Sequence, residues 1–198
     1  MPGVAPLSVE ALPEELAPVI ERYMSQFGFV PNSFRTMAHK PKIAKAFSDL
    51  GAALDASLTI PLHVRGLVFH IASYAAGCRY CQAHSISGLA RNPHVPKKKL
   101  VAIWEYETSP LFDDAERAAM RFAQAAGSVP NAVTEAEFVE LRRYYSDEQI
   151  VEIVAVIAVS GFLNRWNDTM GTELEGPSRS DAEALLGPSG WTVGKHAG

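Results

Sequence analysis

The stretch that most constrains this chain is Ile150 to Leu163, where Ile150, Val151, Ile153, Val154, Val156, Ile157 and Val159 leave almost no polar side. A helix that is apolar all round has to be buried, in a core or against another subunit. Ser146 or Asp147 is placed to cap it, and the spacing predicts a helix reaching about Leu174. Elsewhere apolar residues recur at helical spacing and alternating, strand-like runs are scarce. The expected fold class is therefore all-α: a single-domain helical bundle of about eight helices.

Proline and the capping residues set the boundaries. A first helix is predicted from about Pro13 to Phe27, stopping at Gly28, and a short one from Pro31 or Asn32 to near His39. Pro41 opens a helix to about Ala56 with Ile43, Phe47, Leu50 and Leu54 at helical spacing, and Pro61 opens the next, whose Leu62, Leu67, Val68 and Ile71 are expected in the core. Cys81 to Ala90 and Pro96 to Tyr106 are predicted helices. Asp113 or Asp114 caps the run to Ala126, and Thr134 with Glu137 has the spacing of a capping box for a helix to Tyr145. The helical domain is expected over 1–175. Residues 176–198 read as a tail with a short helix at Asp181 to Leu186, and Trp191 is expected to anchor it on the body or on a neighbouring subunit.

The 198 residues carry a net charge of -4 with 20% charged residues, and Lys97-Lys98-Lys99 is the only basic run, so a nucleic-acid partner is not expected. The N-terminal segment, with Glu10, Glu14 and Glu15 and no basic start, does not read as a signal peptide. Ile150 to Leu163 is shorter than a bilayer span and contains Glu152. The expectation is a soluble, cytoplasmic protein with no membrane partner.

Both cysteines of the chain lie in Gly77-Cys78-Arg79-Tyr80-Cys81-Gln82-Ala83-His84-Ser85. Two thiols separated by two residues can form an intramolecular disulfide, and in a reducing compartment such a pair is catalytic or metal-binding rather than a staple. In the first turn of a helix the dipole favours thiolate, and His84, three residues past Cys81, shares its side of that helix and can carry a proton. The reading is a dithiol redox site. Two others compete: cysteines packed as small hydrophobes, and a zinc site, for which His70 or His94 would have to complete the ligand shell. No cofactor or metal is expected.

Gly77-Cys78-Arg79-Tyr80-Cys81-Gln82-Ala83-His84, the preceding Val64-Arg65-Gly66-Leu67-Val68, the run Phe162-Leu163-Asn164-Arg165-Trp166-Asn167-Asp168 and the ending Gly190-Trp191-Thr192-Val193-Gly194-Lys195-His196 together resemble the carboxymuconolactone decarboxylase superfamily, in its alkylhydroperoxidase D-like, peroxidase-related branch. The resemblance implies an all-helical, oligomeric protein, a trimer or hexamer with a dimer as the alternative. It also implies a peroxidase: Cys81 attacks a hydroperoxide and becomes a sulfenic acid, Cys78 resolves it to a disulfide, an external dithiol reduces that disulfide, and His84 serves a proton relay. Such steps suit thiolate chemistry.

Two positions depart from the pattern. The family's glutamate twelve positions before the first cysteine is Gly66 here, and the histidine follows the second cysteine by three residues rather than four. His70, Tyr74 and Glu152 are the candidates to replace the missing carboxylate, each also readable as an ordinary packed residue. Three functions follow: a dithiol peroxidase on hydrogen peroxide or organic hydroperoxides; a redox sensor or binding protein that uses the disulfide as a switch; and the lactone or decarboxylase chemistry of other branches, which needs no cysteine pair.

Overall fold

The computed structural model describes residues 3–198. Ten α-helices and several 3-10 turns hold most of the described residues, which contain no strand. In chain order the α-helices are α1 (Ala17–Phe27), α2 (Asn32–Met37), α3 (Pro41–Ser57), α4 (Leu62–Ala75), α5 (Arg79–Ala90), α6 (Lys97–Val101), α7 (Asp114–Gly127), α8 (Glu135–Leu141), α9 (Asp147–Met170) and α10 (Gly176–Leu185).

The boundaries follow local chemistry. Asp113, Thr134 and Ser146 each accept a hydrogen bond from the first turn of their helix, and Glu116, Glu137 and Gln149 reach back to the cap amide, completing three capping boxes. Pro41 sits in the first turn of α3, and Gly28 ends α1 in the left-handed conformation. Several boundaries differ from expectation: α1 begins at Ala17 rather than Pro13, α6 ends at Val101 rather than Tyr106, and α8 ends at Leu141 rather than Tyr145. The last long helix ends at Met170 because Gly171 turns left-handed there, four residues before the predicted stop. The tail helix is longer than Asp181 to Leu186, since Pro177 lies in its first turn and carries it from Gly176.

The helix α4 lies at the centre, packed on α5, α7 and α9, and α10 lies along α5. Leu67, Val68, Ile71, Ile86, Met120 and Ile153 fill the main core. A smaller core of Leu16, Val19, Val30, Phe34, Met37 and Ala44 forms under α1–α3, and Leu163 of α9 touches both. The α9 helix is long and apolar enough by composition to cross a bilayer. Here it buries Ile150, Ile153, Val156 and Ile157 in the core, together with a polar strip of Glu152, Ser160, Asn164 and Asn167.

The all-round apolar reading of α9 needs correcting: Val151 and Val154 are exposed at 68% and 42%, and Phe162 is exposed beside them. Ile43 and Leu50 of α3 are exposed on the same side, so α3 and α9 frame an apolar groove. Leu62, expected in the core, is also exposed, because it stands at the rim of a cavity rather than under a helix. The tail folds onto the body. Trp191 and His196 are buried, the Leu174 amide donates to the His196 carbonyl, and the Arg79 guanidinium donates to the Thr192 carbonyl.

Candidate active site

The turn between α4 and α5 places the two thiols. Gly77 has φ 76°, a conformation costly for a side chain with a Cβ, and it turns the chain in the three residues between α4 and α5. Cys78 then becomes the residue that caps α5, its Sγ accepting from the Cys81 amide at 3.4 Å, and Cys81 is the third residue of that helix. Both are free thiols, Cys78 fully buried and Cys81 2% exposed. From α9, Asn167 Nδ2 donates to Cys81 Sγ at 3.5 Å.

Cys81 lies on the wall of a cavity of about 360 Å³ between the small N-terminal core and α4–α5, and Cys78 stands behind it, outside the lining. The lining is largely apolar, with Phe27, Phe34, Phe47, Phe69 and Leu163, while Arg22 and Arg65 stand among its polar members. Arg65 is paired with Asp55 at 2.6 Å, and Arg22 donates to Ser48. His84 and Tyr80 complete the wall beside Cys81, their rings stacked at 4.5 Å between centroids.

The expected depression of the Cys81 pKa is not found. Burial pushes it well above the ordinary thiol value, the neighbouring Cys78 pushes in the same direction, and the Asn167 hydrogen bond offsets only part. First-turn placement favours thiolate, but removal from water is the larger effect. The resting residue is a thiol and needs a base to become a nucleophile.

Gly66 is a packing glycine: a Cβ there would lie 2.5 Å from Leu89 Cδ2 and 2.9 Å from its Cγ, and Leu89 is itself buried in the core. Tyr74 is half exposed and packs with its ring tilted against Trp104, centroids 4.4 Å apart. His70 is fully buried; Ser85 spends its hydroxyl proton on the Cys81 and Gln82 carbonyls, so His70 Nδ1 donates to Ser85 Oγ at 2.8 Å. Burial lowers the His70 pKa to about 3, which keeps it neutral. Glu152 faces the other way, and its carboxylate accepts from the Thr59 and Ile60 amides and the Thr59 hydroxyl at 2.9–3.0 Å. Among the described residues no three His, Cys, Asp or Glu side chains group as a metal shell. His94 is exposed on the loop after α5.

The carboxylate at the site is Glu175, which sequence reasoning missed. Gly171 ends α9, the chain doubles back, and Glu175 arrives as the residue preceding α10. Its Oε2 lies 2.6 Å from His84 Nε2, across 91 positions of sequence. Its Oε1 accepts from the Tyr80 hydroxyl at 2.8 Å and from the Asn32 amide, and the Asn32 side chain donates to the Glu173 carbonyl. Burial raises the Glu175 pKa, but the charge and hydrogen bond of His84 and the Asn32 amide outweigh it, so the net shift is downward and the group is ionised. In sequence Glu175 stood just past the predicted end of the last long helix, and no spacing connected it to His84.

No family model matches the chain. Among curated proteins, the uncharacterised Escherichia coli (strain K12) protein YnjA is 27% identical over 179 residues, 89% of this chain and 96% of that protein. Among solved structures, apo debrominase Bmp8 is 40% identical with a TM-score of 0.84, covering 92% of this chain and 97% of that one. A cysteine-to-alanine variant of Bmp8 has been solved in complex with 2,3,4-tribromopyrrole. A peroxidase-related protein from Ralstonia eutropha JMP134, described as an alkylhydroperoxidase AhpD core, is 28% identical with a TM-score of 0.76, covering 89% of this chain and 94% of that one.

Proposed function

The chain belongs to the alkylhydroperoxidase D-like branch of the carboxymuconolactone decarboxylase superfamily, and from that premise we propose that it is a dithiol oxidoreductase reducing organic hydroperoxides at Cys81. The observation that carries this reading is the position of Cys81. It stands on the wall of an aromatic-lined cavity with His84 beside it and Cys78 behind it. A cavity of about 360 Å³ falls in the range that holds small organic molecules and is far larger than hydrogen peroxide needs.

In the first step His84 takes the proton of the Cys81 thiol, and the thiolate attacks the outer hydroperoxide oxygen. The O–O bond breaks, Cys81 becomes a sulfenic acid, and His84 returns the proton to the departing alkoxide, which leaves as the alcohol. The Cys78 thiol then displaces water from the sulfenic acid to form the Cys78–Cys81 disulfide. An external dithiol supplies two electrons and two protons to restore both thiols.

A second reading is supported by the 40% identity to debrominase Bmp8. There the Cys81 thiolate takes bromine from an electron-rich aromatic ring and His84 delivers a proton to the ring carbon. Cys78 then expels bromide as the same disulfide forms. Both reactions end on that disulfide and draw on the same reductant. The test offers cumene hydroperoxide and a bromopyrrole in parallel, each with excess dihydrolipoamide, and follows peroxide loss and bromide release. Peroxide turnover supports the first reading, and bromide release alone replaces it with the second. Stoichiometric disulfide formation with no turnover of either would leave a redox sensor and end both.

A further inference from the structure

Three groups meet Glu175 from two helices: the Asn32 amide from α2, the Tyr80 hydroxyl from α5, and the His84 imidazole one turn further along α5. Each occupies a defined oxygen. Oε1 takes the amide and the phenol, and Oε2 is left to the imidazole. The carboxylate is largely buried, with its side chain 10% exposed, so water competes little for the imidazole.

The direction of that contact fixes the imidazole's tautomer. An ionised carboxylate only accepts, so His84 Nε2 must carry a proton toward Oε2. The proton that moves in the reaction is therefore confined to Nδ1, which has no hydrogen-bond partner among the described residues and belongs to a side chain on the cavity wall. We propose that Glu175 is the positioning carboxylate of this site: it holds His84 with Nε2–H bound and Nδ1 turned to the exchange of protons with Cys81 and the leaving group. It does from the turn between α9 and α10 what the family pattern assigns to the position occupied here by Gly66. This rests on the dithiol reading above.

The proton inventory closes without Glu175 changing state. The Cys81 proton moves to Nδ1, the imidazolium is stabilised by the carboxylate 2.6 Å away, and the proton leaves with the alcohol. The need is plain at this site, because Cys81 is held protonated at rest by its burial. A base whose ring could rotate, or whose neutral form carried its proton on Nδ1, would not deprotonate it. Because Glu175 lies beyond α9, the site is complete only when the tail has folded back onto α5.

The experiment compares wild type with Glu175→Gln, a change that keeps shape and removes charge. Turnover of cumene hydroperoxide is expected to fall roughly 100-fold in kcat, the lower end of what a positioned proton-transfer group supplies, with little change in KM. Nitrogen-15 NMR of selectively labelled protein is expected to find the neutral His84 ring protonated on Nε2 in wild type and redistributed between the two nitrogens in the variant. Tyr80→Phe, which removes the other side-chain bond to Glu175 and leaves His84 in place, is expected to cost only a few-fold. A Glu175→Gln protein with kcat within two-fold of wild type and an unchanged tautomer would overturn the proposal. Should wild type turn over neither substrate, the functional reading falls on its own. The tautomer measurement still decides the role of Glu175: Nε2 protonation lost in the variant supports it, and an Nδ1-protonated wild-type ring ends it. Circular dichroism confirms folding, and Glu175→Asp, whose shorter arm withdraws from Nε2, repeats both readouts if the Gln variant does not fold.

Discussion

Glu152 and Glu175 are both carboxylates held by backbone amides, at opposite ends of the region around α9, and they do different things. Glu152 spends both oxygens on the amides of Thr59 and Ile60 and on the Thr59 hydroxyl, just ahead of α4. None of those partners titrates, so Glu152 ties the end of α3 and the start of α4 to α9 and has no proton to pass. Glu175 gives one oxygen to similar fixed donors and the other to an imidazole. What distinguishes a structural carboxylate from a working one here is a partner able to change its protonation state. Burial and isolation in an apolar run, the features that drew attention to Glu152 in the sequence, do not separate them.

The largest effect expected is at the thiol both readings share. Cys81→Ser should abolish turnover, whereas Cys78→Ser should complete one half-reaction and leave a Cys81 sulfenic acid that dimedone traps and mass spectrometry locates. A Cys78→Ser protein that cycles normally would remove Cys78 from the resolving role. In the reduced wild type, limiting iodoacetamide should label Cys81 first, because Cys81 lines the cavity and Cys78 does not.

The two carboxylates should then divide cleanly. Glu152→Ala leaves buried amides without acceptors, so unfolding stability should drop by about 1–3 kcal/mol in a denaturant titration, while turnover per folded molecule holds. Glu175→Gln should show the reverse ratio of lost activity to lost stability. Equal losses in both would dissolve the distinction.

Acid should act through His70 before either carboxylate. Its folded pKa is lowered by burial from 6.5 to about 3, so the folded state resists protonation that the unfolded chain accepts. Stability is therefore fully present above about pH 6.5 and declines as pH falls toward 3. Glu152 and Glu175, both shifted downward, contribute stability present above the ordinary carboxylate value of 4.5 and lost only below it. Chemical denaturation between pH 7 and 5 should show a slope that His70→Gln flattens and Glu152→Gln does not.

The smallest effect on chemistry is expected at the groove of α3 and α9, where Ile43, Leu50 and Phe162 are exposed. We propose this face as the contact that makes a homo-oligomer. Leu50→Glu should lower the sedimenting mass with turnover nearly unchanged, and a wild-type monomer at micromolar concentration would remove the idea.

Most of the helical framework was legible because its signals are local. Thr134 caps where its spacing to Glu137 said it would, and of the pairs Asp113/Asp114 and Ser146/Asp147 the first residue takes the cap in each. The cysteine turn was legible for the same reason, through Gly77 and the three-residue step from Cys81 to His84. Contacts between distant segments were not. Leu62, Ile43 and Leu50 have helical spacing but no partner over them, and periodicity cannot tell a covered face from a bare one. The Cys81 pKa turned on how deeply the helix start is buried, and Glu175 reaches His84 only because Gly171 sends the chain back.

Leu89 over Gly66 has a consequence for how related sequences are read. Any profile that scores a carboxylate at a fixed interval before the thiols will grade this chain as impaired, although that position is given over to packing. The space at Gly66 is filled by a leucine, and the acid at the site comes from just past the long helix. Relatives should then sort into two lineages, glutamate before the dithiol or glutamate after α9. Chains lacking both would be the ones to suspect of having given up the chemistry.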